Sequence, residues 1–138
     1  MNNYYLLSGC FNVAKNAPLA LAITLVLSGS DGYFRKGNVL RHMNMLLQDG
    51  LPFDTQDGTE VGRWGNRSSG IDSSDDVSEC MYYAYVDPSC WELIPNLTIC
   101  TRPEFMELFE DCCRNFVASE PSRREEYAEA LAANGLSL

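Results

Sequence analysis

The chain has 138 residues, 19 of them acidic and 10 basic, for a net charge of −9. That length makes one domain, 1–138, whose core needs neither disulfides nor metal, and its apolar and aromatic content excludes a chain disordered throughout. So acidic a surface repels phosphate backbones, which disfavours direct nucleic-acid binding and suits a basic protein partner.

The acidity is uneven. Residues 1–50 carry four bases and two acids, residues 51–100 two and nine, and residues 101–138 four and eight. The amino-terminal portion therefore reads as scaffold, and the negative charge belongs to residues 51–138.

The first candidate element is a strand over 3–13, from the aromatic and β-branched content around Tyr4, Tyr5 and Phe11, with Gly9 as a bulge. Next comes the most apolar stretch of the chain, Ala17 to Leu27, whose only polar residue is Thr24. With Asn16 as N-cap and Pro18 in the first turn, it predicts a buried helix over 17–28 in the middle of the fold. A buried strand stays open there, because periodicity does not decide for a run that is apolar all round. The run is too short to span a bilayer, which takes about 20 apolar residues. The preceding segment has Lys15 as its only base and makes a poor signal peptide, and Leu7 to Cys10 lacks the hydrophobic stretch a lipobox needs. A cytosolic protein is expected.

Asn38 predicts a helix to about Gln48, with Val39, Leu40, Met43, Leu46 and Leu47 on its apolar face and Gly50 past its end. From 51 to 79 the pattern collapses into an acidic region rich in Gly and Ser, a long loop or short hairpins, anchored by Trp64 and Ile71. Cys80 to Val86 is a strand, and Trp91 to Ile94 its expected hairpin partner after Asp87-Pro88-Ser89, with a further short strand over 97–100. Thr101 and Glu104 fit a capping box for a helix to about Ala118, lined inside by Phe105, Leu108, Phe109, Cys112, Cys113 and Phe116. A last helix runs from about Arg123 to Asn134, with Gly135 beyond it. The order of elements argues against alternating βαβ units. It predicts an α+β fold, a small antiparallel sheet over 3–13, 80–86 and 90–100 covered by four helices.

Motifs for chemistry are sparse. Six cysteines without a C-x-x-C, and His42 as the only histidine, do not make a zinc site, and the thiols read as small buried hydrophobes. Gly32 to Gly37 has the glycine spacing of a phosphate loop, but Asn38 and Val39 stand where a lysine and a hydroxyl should come next, so a turn before a helix is the plainer reading. Asp72, Asp75, Asp76 and Glu79 could ligate calcium, yet the EF-hand order and its central glycine are missing. No cofactor and no metal are expected.

Two function classes remain. The first is a non-catalytic interaction protein, an inhibitor occupying a basic, nucleic-acid-binding surface of a target protein. Its candidate negative face gathers Asp54, Asp57, Glu60, Asp72, Asp75 and Asp76 on the loop, Glu104, Glu107 and Asp111 on the third helix and Glu125, Glu126 and Glu129 on the last, with Asp72, Asp75, Asp76, Glu79, Glu104, Glu107 and Asp111 as the leading contacts. Its candidate apolar anchors are Tyr83 and Tyr85, from a set that also holds Tyr82, Trp64 and Trp91, most of which are expected in the core. By analogy of size and charge alone, small acidic inhibitors from phages and mobile elements that oppose DNA-targeting defence belong to this class. The second class is a small thiol-dependent enzyme or redox protein using Cys10 as nucleophile with His42 as base.

Overall fold

The computed structural model describes residues 13–28, 32–55, 58–73, 75–93 and 95–138. In chain order these form α1 (Val13–Ser28), α2 (Val39–Leu47), β1 (Phe53–Thr55), β2 (Thr59–Arg63), β3 (Tyr82–Val86), β4 (Leu97–Cys100), α3 (Arg102–Ser119) and α4 (Arg124–Ala133), with single 3-10 turns at Trp64–Asn66 and Pro121–Arg123. The four strands make one antiparallel sheet in the order β1-β2-β3-β4. The fold is α+β.

The apolar run is helical and central. α1 packs against all four strands on one side and α3 on the other, with Leu19, Ala20, Ala22 and Ile23 wholly buried. A helix buried between two layers has no face to reserve for water, which is why its sequence lacks an amphipathic period. It starts earlier than expected, at Val13 and not after Asn16, so Pro18 stands inside the helix and removes one of its hydrogen bonds. The strand expected over 3–13 lies outside the described residues except at Val13, which opens α1.

α2 buries Val39, Met43, Leu46 and Leu47, while Leu40, placed on the same face by spacing, is exposed. Asn38 starts the helix by position alone, since its side chain makes no capping bond. The Tyr82 hydroxyl, fully buried, donates to the carbonyls of Leu46 (3.0 Å) and Leu47 (3.1 Å) and so ties the end of α2 to the sheet. Phe105 at the start of α3 stacks on the same ring at 4.4 Å.

The sheet differs from expectation in two places. Strands β1 and β2 form a short hairpin, one of the two readings for 51–79, but this hairpin joins the sheet, which was expected from 3–13, 80–86 and 90–100, and β2 is buried along most of its length. The partner of β3 is Leu97–Cys100, whereas Trp91 to Leu93 belong to the connection. Pro88 and Pro95 cannot donate to a ladder, so pairing resumes only after the second proline.

Candidate interaction face

Alternation along the strands gives the sheet two unlike faces. Phe53, Val61, Ala84, Tyr82 and Cys100 point into the main core against α1. The opposite face carries Asp54, Glu60, Tyr83, Tyr85, Leu97 and Ile99, which the registers Asp54↔Glu60↔Tyr85↔Leu97 and Tyr83↔Ile99 set side by side.

Half of that outer face is covered. The chain leaving β2 folds back so that Trp64 and Ile71 bury Tyr83 completely, with the Trp64 and Tyr83 rings edge to face at 5.6 Å. Arg67 staples this flap: its guanidinium lies 4.0 Å over the Trp64 ring, Nε donates to the Ile71 carbonyl (2.6 Å), Nη1 to the Trp64 carbonyl (3.0 Å), and Asp72 pairs with Nη2 at 3.5 Å. Glu60 pins the flap from beneath. Its buried carboxylate accepts the Ser68 backbone N–H at 3.0 Å, the Ser68 hydroxyl and the Tyr83 hydroxyl. Burial, then the hydrogen bond to Glu60 and its charge, hold the Tyr83 phenol well above the usual tyrosine range.

Where the flap ends, the face opens. Tyr85, Leu97 and Ile99 are only half-buried, with Met81 and Val77 beside them. A shallow pocket of about 240 Å³ lies here, with Ile71 and Tyr85 as apolar wall, Ser68 and Ser69 on one rim, and Asp54, Glu60 and Asp87 supplying carboxylates. No lysine or arginine lines it among the described residues. Asp87 is held below the usual carboxylate range by the Ser89 backbone N–H (2.9 Å) and the Ser89 hydroxyl (2.8 Å).

The residues singled out from sequence divide across this frame. Tyr85 borders the pocket, and Asp72, Asp75, Asp76 and Glu79 are exposed on the segment after the flap. Tyr83 is fully buried, so it supports the face from below and does not touch a partner. Glu104 and Glu107 are exposed on α3, in the helical layer beyond α1, and do not continue the sheet's outer face. Asp111, read as solvent-facing, is buried with Arg114, one turn on, at 3.6 Å. The single negative face is therefore two regions, one per layer. Glu60, counted from sequence among the exposed acids of the negative face, is buried at the centre of the outer face, since its carboxylate is taken up by Ser68 and Tyr83. Asp57 lies outside the described residues.

His42 is enclosed by rings. Phe53 stands edge-on at 5.8 Å and Tyr33 at 5.9 Å, and Nδ1 lies 3.1 Å from the Asn38 carbonyl, a structural setting. Cys10 lies outside the described residues. Of the described thiols, Cys80 and Cys90 are exposed, while Cys100, Cys112 and Cys113 are buried. The loop with phosphate-type glycine spacing presents its Gly37 N–H to the Glu126 carboxylate at 2.7 Å, so a side chain already takes that donor. Among the described residues no group of three or more His, Cys, Asp and Glu side chains is placed to hold a metal ion, and no helix is long and apolar enough to cross a membrane. The chain matches no protein-family model, no curated protein and no solved structure.

Proposed function

We propose that the protein is a non-catalytic inhibitor that covers a basic, nucleic-acid-binding surface of a target protein, and that the open half of the sheet's outer face is its contact surface. One observation carries this reading: a row of half-buried apolar side chains, Tyr85, Leu97 and Ile99, beside a pocket whose charged groups are all carboxylates. Arginine and lysine match both parts, since the aliphatic stem packs on the apolar row while the cationic head enters among Asp54, Glu60 and Asp87. The net charge of −9 steers such a surface into contact and raises the association rate. The exposed acids Asp72, Asp75, Asp76 and Glu79 extend the same charge along the adjacent segment. A DNA-targeting defence complex, of the kind that small acidic phage and mobile-element inhibitors oppose, is a target whose basic groove would suit this contact.

The test is retention of proteins from a bacterial lysate on the immobilised chain, followed by competition with duplex DNA or RNA. Proteins held at low salt should elute with salt and with competing nucleic acid, and the double variant Asp54→Lys, Asp87→Lys should retain none of them. Retention that survives both the charge reversal and the competitor would rule the reading out.

A further inference from the structure

We infer that Asn134, followed by Gly135, is a modification site: its side-chain amide deamidates to a carboxylate, and the product loosens α4 from α2. This is the one Asn–Gly step in the chain. The reaction consumes only water. The Gly135 backbone nitrogen loses its proton and attacks Cγ of Asn134, ammonia leaves, and water opens the resulting five-membered succinimide to aspartate or isoaspartate. A glycine leaves that nitrogen uncrowded. Gly135 stands here because it closes the helix: at φ +75° it turns the chain so that the Leu136 N–H reaches the Leu131 carbonyl at 2.8 Å. The residue that ends α4 is the one that makes its last amide labile.

The fold both guards this amide and depends on it. Asn134 Nδ2 donates to Asn44 Oδ1 on α2 (2.9 Å) and to the Ala130 carbonyl (2.9 Å), while its Oδ1 accepts Gln48 Nε2 (3.1 Å). The Gly135 N–H donates to the Ala132 carbonyl at 3.1 Å, so the nucleophile keeps its proton while the last turn is formed. Ala132, Ala133 and Gly135 are exposed, and a helix end opens more readily than the whole domain. A carboxylate at 134 reverses the contacts. It has no hydrogen to give, so it meets the Ala130 carbonyl as acceptor against acceptor, at the negative end of the helix dipole. Asn44 can turn its amide to answer the charge; the Ala130 carbonyl cannot. Isoaspartate also adds a methylene to the backbone before Gly135 and displaces the hydrogen bonds of the closing turn. α4 docks on α2 with Tyr127, Ala130 and Leu131 buried, and refolding does not undo the change.

The test incubates the full chain at mildly alkaline pH, folded and in urea, and maps aspartate and isoaspartate by peptide mass spectrometry. In urea the product should concentrate at 134, and Gly135→Ala should slow it severalfold. Folding should slow the reaction, but by a smaller factor than it slows labelling of the buried Cys113 thiol, which follows opening of the core. Asn44→Ala, which frees one bond of the amide, should speed the folded-state reaction by about threefold to tenfold, the range of one neutral hydrogen bond. Asn134→Asp should lower the folded-to-unfolded ratio by about tenfold, read as a lower urea midpoint. No product at 134 in urea, a folded chain that reacts as fast as the unfolded one, or an Asn134→Asp variant as stable as the parent would each overturn the inference. So would protection at 134 equal to that of Cys113, which would make the change a lesion of the unfolded chain, or an unchanged rate in Asn44→Ala. None of these outcomes bears on the acidic face, whose test reads protein retention.

Discussion

The buried carboxylate of Glu60 on β2 accepts the hydroxyl of Tyr83 on β3, and this one bond joins the covered half of the outer face to the open half. Glu60 also lines the acidic pocket, so the same group anchors the flap and contributes to the surface. Replacing Tyr83 by Phe removes one of the donors to a buried carboxylate while keeping the ring. The expected cost is about 1–3 kcal/mol in urea unfolding, the range for leaving a buried acceptor short of a partner. Ser68 remains as donor, so the fold should survive, with faster proteolysis in the flap around 67–73. A variant as stable as the parent would mean the bond is not holding the flap.

Gly62 carries the second structural constraint on β2. A Cβ there would stand 2.8 Å from the Pro52 Cα and 3.2 Å from the Leu51 carbonyl oxygen, backbone atoms that do not rotate away. Gly62→Ala should therefore force β1 and its approach outward and destabilise by about 1–3 kcal/mol, as overpacking does. Thermal unfolding followed by circular dichroism measures it. A neutral substitution would show that the segment before β1 yields freely.

How much of the fold was legible in the sequence depends on the distance over which each signal acts. α1 was legible because burial on two sides leaves a run of apolar residues that no other role explains. The start of α3 was legible because Thr101 and Glu104 answer one another within a single turn. β2 was not, since Glu60 and Gly62 break any alternation, and both are there for partners elsewhere along the chain: Tyr83 and Ser68 for the carboxylate, Pro52 for the bare backbone. Trp91 to Leu93 look like strand but are fenced by Pro88 and Pro95. Asp111 shows the same limit on a helix, where the pattern puts it in water and the packing puts it under Arg114. The candidate face depends on register between β1, β2, β3 and β4, which local patterns do not encode.

The capping box offers a prediction independent of the sheet. Glu104 N–H donates to the Thr101 hydroxyl at 3.3 Å, and the Glu104 carboxylate accepts the Thr101 N–H at 2.9 Å. Thr101→Ala should cost about 1 kcal/mol, the usual loss on removing an N-cap side chain. The change should appear as a lower urea midpoint with an unchanged slope. An unchanged midpoint would mean that Phe105, stacked on Tyr82, sets the helix start by packing alone.

Stability should fall on the alkaline side for a reason visible in the core. Burial, with Glu104 nearby, pushes the Cys100 thiol up to about 12, and burial beside Cys112 and Glu110 holds Cys113 well above the usual thiol range. In the unfolded chain these thiols lose their protons near the ordinary value of about 8.5. Between that value and the folded one, the unfolded state binds fewer protons than the native state, so unfolding becomes easier as pH rises. Each such thiol lowers stability by about 1.4 kcal/mol per pH unit in that window. The buried phenols of Tyr83 and Tyr127, both raised chiefly by desolvation, add to the same slope above the ordinary tyrosine range. Urea midpoints should stay level from about pH 7 to 8 and drop steadily above about pH 9. Cys100→Ala should soften the drop even where it lowers the midpoint at neutral pH. A midpoint that holds level to pH of about 11 would mean these thiols reach solvent and ionise in the native state near their ordinary value.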